Sequence, residues 1–161
     1  MQIAPQVVDH TYSISIQWTG NRGSGTAGYS AYDRDFQVHV SGKSVLYGSS
    51  DPAFRGDSSR YNPEELFLVS VSSCHMLWFL HLASNRGVQV IRYEDEAYGV
   101  MSEQEGGTGQ FTNIVLRPVV TVGKKEMIDQ AQDLHELANR YCFIANSLNF
   151  PVHHEPEFRV I

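Results

Sequence analysis

The segment from Leu66 to Ala83 is the feature of this sequence that most limits its possible folds. On a helix its apolar residues surround the axis almost completely, and a helix that is apolar all round is buried on all sides. A membrane-spanning helix is a run of about 20 residues with very few polar groups, but this segment contains several. They are Ser70, Ser72, Ser73, His75 and His81. We therefore predict no membrane partner and a buried helix at the centre of a soluble domain or of an oligomer.

Both ends of this helix are marked in the sequence. Asn62 is a favourable capping residue, and Pro63 suits the first helical position that follows it. Gly87 is the type of residue that ends a helix, so the spacing predicts a helix from Pro63 to about Arg86. Residues 48–63, just before it, are rich in Gly, Ser, Asp and Pro and have no periodicity. They predict a long loop, and loops of this length are often functional.

The rest of the chain has the pattern of short strands and one further helix. Polar and apolar residues alternate over residues 11–18, which is typical of a half-buried strand. Further strands are predicted at 29–32, 36–40, 88–101, 110–122 and 157–161, and a second helix at 124–141. Pro118 lies inside one of these strands and indicates an edge position or a bulge. The pattern predicts an α+β fold with antiparallel sheet, in a single domain spanning residues 1–161.

Composition excludes several classes of protein. The chain has 161 residues, of which 42% are apolar and 19% charged, so it has the composition of a globular protein. Its net charge is −6 and its largest basic cluster is the pair Lys124–Lys125, which argues against a nucleic-acid partner. Two cysteines are too few for a secreted disulfide scaffold. The first ten residues lack a charged start and an apolar core, so we expect no signal peptide and a cytoplasmic protein.

The two cysteines have a plain interpretation and a chemical one. Cys74 lies midway along the central helix and Cys142 ends the second, so both suit the role of small core hydrophobes. A zinc site is a weaker alternative, because no CxxC is present and Cys74–His75 has no recognised zinc spacing to His135 or His153–His154. We predict no metal and no bound cofactor. His135 is expected to be structural, and His153–His154 is expected to be exposed.

Three segments of the sequence, in order, resemble those of one family. NPEELFLVSVSSCH (62–75) is similar to the signature of the OsmC/Ohr family, the osmotically inducible and organic hydroperoxide resistance proteins. WTGNRGSGT (18–26) resembles that family's N-terminal segment, and ANRYCFIANSLNFPV (138–152) resembles its C-terminal segment. The resemblance implies an OsmC/Ohr-like fold, with antiparallel sheets, a central buried helix and an intertwined homodimer.

Carried over by position, the resemblance implies a thiol-dependent peroxidase. Cys74 would be the peroxidatic cysteine, Cys142 the resolving cysteine, Arg22 the cation that activates the thiolate and Glu64 the carboxylate that orients Arg22. A free thiol has a pKa of about 8.5, so a nearby cation favours the reactive thiolate at neutral pH. Attack on a hydroperoxide gives a sulfenic acid, which a second thiol converts to a disulfide. An external dithiol, in the Ohr branch a lipoylated protein, would then reduce the disulfide.

The substrate implied is an organic hydroperoxide, alkyl or lipid, because apolar side chains would line the pocket. We assign substrate binding to His75, Trp78, Phe54 and Phe143. The loop 47–61, which carries Phe54, is longer than in typical family members and would cap the pocket. His75 follows the cysteine, where the family commonly has an aromatic residue, and a structural role in the core is its alternative. The sequence after the second cysteine also departs from the CPYSN typical of Ohr proteins.

Helix geometry separates two of these residues. Glu64 and Cys74 are ten residues apart, which is about 15 Å along a straight helix and about 80° around it. They cannot meet in one subunit unless the helix breaks between them. We therefore predict a dimer in which Glu64 reaches the partner subunit's Arg22 and Cys74.

Two other functions fit the same residues. One is a non-catalytic dimeric protein that binds a small molecule or lipid, with both cysteines merely buried. The other is a thiol redox sensor that forms the same disulfide but turns over slowly. Two of the site residues also have a plain interpretation, Arg22 as a solvated loop charge and Glu64 as only a helix N-terminal charge, worth about 0.3–1 kcal/mol.

Overall fold

A computed structural model describes residues 7–161 of the chain. Residues 1–6, on which the expectation of no signal peptide partly rests, lie outside the described residues. The described part of the chain forms two compact units, which divide between Glu64 and Glu65. The single domain 1–161 therefore stays a prediction, and the units are described separately.

The element boundaries show how the predicted segments divide. Within residues 7–161 the strands are β1 (Ser15–Trp18), β2 (Phe36–His39), β3 (Leu46–Gly48), β4 (Val90–Asp95), β5 (Tyr98–Glu103), β6 (Gly109–Leu116), β7 (Pro118–Val122), β8 (Val152–His154) and β9 (Glu157–Val160). The α-helices are α1 (Pro63–Asn85) and α2 (Ile128–Tyr141), and short 3-10 helices cover Pro52–Phe54, Lys125–Met127 and Ala145–Ser147. The α+β class is confirmed.

The N-terminal unit is a small antiparallel sheet in the order β1-β2-β3. The strand predicted at residues 11–18 forms only over its last four residues, Ser15–Trp18. The strand predicted at 29–32 is wrong, because that segment is a turn in which only Tyr32 makes an isolated bridge, to Asn21. The region 47–61 is ordered by local contacts, among them the Asp51 side chain accepting from the Ala53 amide at 2.7 Å.

The C-terminal unit contains two three-stranded sheets, β4-β7-β9 and β5-β6-β8. The predicted strands 88–101 and 110–122 each split in two, so that the chain passes from one sheet to the other. The prediction of antiparallel sheets is also wrong for this unit, because β8 runs parallel to β6 and β9 runs parallel to β7. These two strands follow α2, so the chain returns to each sheet through a helical crossover.

The structural position of Pro118 also differs from the prediction. It opens β7, which is the central strand of its sheet and not an edge strand. Proline is tolerated as the first residue of a strand, since no ladder hydrogen bond is needed there. The preceding amide, of Arg117, donates instead to the Asp95 side chain at 2.7 Å. This side-chain hydrogen bond thus satisfies the backbone amide at the break between β6 and β7.

Helix α1 ends as predicted and supplies both cores of the C-terminal unit. Gly87 adopts φ = 72°, and the Val88 amide returns to the Ala83 carbonyl at 2.9 Å, which closes the helix end. One core cluster consists of Phe79, Ala83, Val88, Val120, Val122, Ala131, Leu134 and Ala138. The second consists of Val71, Ile114, Leu116 and Val152. Core residues of both clusters thus lie on α1, which makes it a core helix.

Burial of α1 is limited to one stripe in a single chain. The buried residues recur every four positions, at Val71, His75, Phe79 and Ala83. Other apolar side chains stay open, with Val69 54% and Leu77 62% exposed. By length and composition alone α1 would be able to cross a membrane, but the same holds for the core helix of a soluble protein. Burial on all sides is therefore not reached within one chain.

Candidate thiol site

Two cysteines on different helices approach each other in the C-terminal unit. Cys74 lies on α1 and is half-buried, whereas Cys142 caps the C-terminal end of α2 and is fully buried. The Cys142 amide donates to the Ala138 carbonyl at 2.9 Å, which continues the helical pattern for one residue. The chain then turns away, and both thiols are free.

The two thiols are neighbours in the fold. Burial is the largest cause that raises the pKa of Cys142, to about 11, and the adjacent Cys74 thiol is the next. The Ala145 amide donates to the Cys142 sulfur at 3.4 Å and acts in the opposite direction. Cys142 is therefore a protonated thiol at neutral pH, held against Cys74. The sequence motifs predict these two residues as a pair, and the fold brings them together.

Arg22 belongs to the N-terminal unit, in the glycine-rich turn that follows β1. Its guanidinium donates to the Ser30 carbonyl and lies 3.7 Å from the Asp33 carboxylate, and its side chain is half exposed. The Asn21 side chain orders the turn by accepting from the Gly23 amide at 2.8 Å. Action of Arg22 on Cys74 stays a prediction.

Glu64 lies in the first turn of α1. Its Oε2 atom is buried and has no hydrogen-bond partner among the residues that the structure describes. Helix α1 is unbroken from Pro63 to Asn85, so the condition under which Glu64 would meet Cys74 in one chain is not met. One carboxylate oxygen is thus buried, and about 15 Å of helix separates Glu64 from the thiol of its own chain.

The predicted aromatic residues divide between the units. Trp78 stacks on Tyr141 at 5.1 Å between ring centroids and meets Phe143 edge-on at 5.6 Å. Phe143 is exposed, and the three rings form an aromatic patch in which Tyr141 and Phe143 flank Cys142 in the sequence. Phe54 lies in the N-terminal unit, where it ends a short 3-10 helix. Tyr141 was missed by sequence reasoning, although its place directly before Cys142 was a signal.

His75 lies inside the protein, with 1% of its surface exposed. Its Nε2 atom is 3.0 Å from Nδ1 of His135, and its ring stacks on that of His154 at 4.4 Å. His75 therefore has almost no accessible surface with which to bind a substrate. The prediction that His154 is exposed is wrong, because its ring is half-buried on His75, whereas His153 is exposed as predicted.

Burial keeps these imidazoles neutral. Desolvation is the largest cause that lowers the pKa of His75 and of His135, each to about 3. Desolvation also lowers the pKa of His154, where the Asp95 carboxylate opposes it and His153 adds to it. Among residues 7–161 no group of three or more His, Cys, Asp or Glu side chains is arranged to hold a metal ion.

Comparison with protein families shows which family has this fold. The family model described as OsmC-like protein matches residues 56–157, which include α1, both cysteines and α2. The chain belongs to the OsmC-like family. No curated protein matches it in sequence.

Solved structures of OsmC-like proteins have the same fold. An OsmC-like protein of unknown function from Vibrio cholerae O1 biovar eltor is 30% identical, with a TM-score of 0.82, over 92% of this chain and 99% of that one. The organic hydroperoxide resistance protein of Elizabethkingia anophelis is 20% identical, with a TM-score of 0.66, over 93% and 99% of the two chains. OhrB of Bacillus subtilis is 19% identical, with a TM-score of 0.62, over 92% and 98%.

Proposed function

We propose that this OsmC-like protein is a cysteine-based peroxidase that reduces organic hydroperoxides to alcohols. The observation that carries the proposal is the proximity of the thiols of Cys74 and Cys142, which are far apart in sequence and free. Core cysteines without a redox role have no need of each other's sulfur. Similarity to organic hydroperoxide resistance proteins supports the same reaction class.

The proposed reaction has three steps. The Cys74 thiolate attacks the O–O bond of the hydroperoxide, so that an S–O bond forms, the O–O bond breaks and the alkoxide leaves as the alcohol after taking a proton. The Cys142 sulfur then attacks the sulfenic sulfur of Cys74, an S–S bond forms and water leaves. An external dithiol reduces this disulfide by exchange and is itself oxidised to a disulfide. A lipoylated protein is the dithiol that the family resemblance favours.

Exposure and acidity assign the two sulfurs to different steps. The peroxide meets the half-buried Cys74 first, because Cys142 is fully buried. The raised pKa of Cys142 keeps that sulfur protonated, so it does not compete as the first nucleophile. Once Cys74 carries a hydroxyl as leaving group, the neighbouring Cys142 is positioned to displace it.

A homodimer completes the site in this proposal. Glu64 has a buried Oε2 without a donor among residues 7–161, and leaving a buried carboxylate oxygen unpaired is costly. The partner subunit's Arg22 would supply the cation, and that cation would also favour the thiolate of the Cys74 it faces. The exposed Val69 and Leu77 of α1 give the second chain an apolar surface to cover.

The substrate side of the site is apolar. Trp78 and Phe143 offer an aromatic wall on the C-terminal unit, and we propose that Phe54 also binds the substrate. Such a wall favours alkyl or lipid groups over the small, polar hydrogen peroxide. A thiol enzyme of this kind needs no metal or organic cofactor, and reduced thiols fit the cytoplasm.

One oxidation experiment tests the proposal. The reduced protein is treated with one equivalent of cumene hydroperoxide and its denatured mass is measured without reductant. We expect the loss of two hydrogens and a peptide map in which Cys74 is linked to Cys142. The matched control is Cys142→Ser, which should stop at a Cys74 sulfenic acid that dimedone traps. An unchanged mass with both thiols free would leave a non-catalytic binding protein.

A slow redox sensor is the second candidate, because Cys142 is fully buried and an external dithiol has poor access to that sulfur. It would give the same mass change and the same peptide map. Steady-state turnover separates the two. A peroxidase consumes many equivalents of cumene hydroperoxide with dihydrolipoamide, whereas a sensor stops after about one.

A further inference from the structure

A row of four stacked or hydrogen-bonded rings crosses the core beside the thiol pair. His154 of β8 stacks on His75 at 4.4 Å, the His75 and His135 rings share a 3.0 Å N···N contact, and Phe79 stacks on His135 at 4.2 Å. His75 and His135 are 1% and 3% exposed. The proposed peroxidase chemistry uses none of these imidazoles.

The contact between His75 and His135 is a directional hydrogen bond. The rings are parallel within 5°, and because burial keeps both neutral, one nitrogen donates and the other accepts. His75 Nδ1 and His135 Nε2 have no partner among the residues that the structure describes. The bond between the two rings is therefore the one polar interaction that fixes either imidazole within residues 7–161.

This bond joins the two helices that carry the thiols. His75 follows Cys74 on α1, and His135 lies on α2 seven residues before Cys142. Seven residues are about two helical turns, so His135 and Cys142 share a face of α2. One turn of α1 thus contacts α2 twice, once through the imidazoles and once through the thiols.

We propose that the His75–His135 hydrogen bond is a positioning element that holds Cys74 in place to form a disulfide with Cys142. The inference deepens the proposed function, because it concerns closure of the same disulfide. Two apolar side chains would fill the same space without the cost of burying two imidazoles. A hydrophobic contact tolerates sliding between helices, whereas a hydrogen bond requires one distance and one angle. The register it sets is the one that disulfide closure needs.

Thiol–disulfide equilibrium measures this positioning directly. The protein is equilibrated with mixtures of reduced and oxidised dithiothreitol at about pH 7.5, and the fraction of Cys74–Cys142 disulfide is quantified by mass. His75→Leu and His135→Leu should each lower the equilibrium constant for closure about fivefold, the effect of losing one net hydrogen bond. The double variant should lose little more, since both substitutions remove the same bond.

Amide substitutions separate positioning from general stability. The amide of His75→Gln reaches the place of the imidazole Nε2 and the amide of His135→Asn reaches that of Nδ1, so both should stay within about twofold of wild type. His75→Asn places the same amide one carbon short and should behave like leucine. It also keeps the test available if the leucine variants do not fold.

The matched control is Val122→Ala, a core truncation in the same unit that removes no polar group. It should destabilise the reduced and oxidised forms alike and so leave the equilibrium constant for closure unchanged. Unchanged closure in the leucine variants, or equal closure in His75→Gln and His75→Asn, would overturn the inference. Failure of the proposed function has a different signature, in which cumene hydroperoxide leaves the thiols intact while the dithiothreitol equilibria still shift.

Discussion

Buried ionisable groups are the residue-scale feature that separates this chain from an ordinary α+β protein. Cys142 has a raised pKa and His75 and His135 have lowered ones, and desolvation is the main cause in each case. All three are therefore uncharged at neutral pH. Their chemical roles follow from contact with Cys74 and with each other rather than from charge.

The buried imidazoles make stability depend on pH. His75 and His135 titrate near 6.5 when unfolded and at about 3 when folded, so the unfolded chain binds more protons below about pH 6.5. Their contribution is complete above that pH and is lost as the pH falls towards 3. At about pH 5.5 we expect a loss of about 1.4 kcal/mol for each imidazole in the free energy of unfolding.

Urea unfolding at about pH 7.5 and about pH 5.5 measures this loss. The control is the double variant His75→Gln/His135→Asn, whose amides do not titrate and whose stability should vary less with pH. An equally steep loss in wild type and in this variant would show that other groups cause it, His154 among them.

Arg22 gives the second residue-scale prediction. Replacing it by alanine removes the cation that we assign to the Cys74 thiolate, and one adjacent opposite charge changes such an ionisation by about ten- to a thousandfold. We expect the second-order rate of Cys74 oxidation by cumene hydroperoxide at neutral pH to fall by at least about tenfold. Arg92→Ala, which removes an exposed arginine paired with Glu94, is the control. Equal rates in both variants would leave Arg22 as a loop charge.

At the scale of elements, α1 combines a stripe of buried core residues with Cys74, the residue to which we assign the attack on the peroxide. Phe79 is fully buried, packs against Tyr93 and His135, and belongs to the larger core cluster. Truncation of a buried phenylalanine costs about 3–5 kcal/mol. We expect Phe79→Ala to lower the free energy of unfolding by that amount in urea titrations. Lys125→Ala, outside the core, should change it little, and a similar loss in both would contradict the burial argument.

At the scale of the whole molecule, the open apolar side of α1 predicts a homodimer. Leu77→Asp places a charge on this side and should shift the native mass from twice 18.1 kDa towards 18.1 kDa in light scattering. Ile161→Asp changes an exposed apolar residue at the chain end and should leave the mass unchanged. A wild-type protein that is monomeric at all concentrations would rule out the dimer, and with it any contact between Glu64 and a partner's Arg22.

Local signals explain what was predictable from the sequence. Capping by Asn62 and the stop at Gly87 placed α1 within one or two residues, and the α+β class followed from the mixture of patterns. The strand break at Arg117 was not visible, because an apolar run has the same period whether it stays in one sheet or crosses to another. The parallel partners β8 and β9 were equally hidden, since pairing is a non-local choice.

The sequence by itself determined the central helix and the family, because periodicity, caps and motifs are encoded in neighbouring residues, and its motifs predicted the cysteine pair. Only the tertiary structure decided that Cys142 lies against Cys74 and that His75 points inward to His135 and His154. The physical reason is that contacts between distant segments depend on how helices and strands pack. Consecutive residues on α1, a thiol and an imidazole, thereby acquire different surroundings.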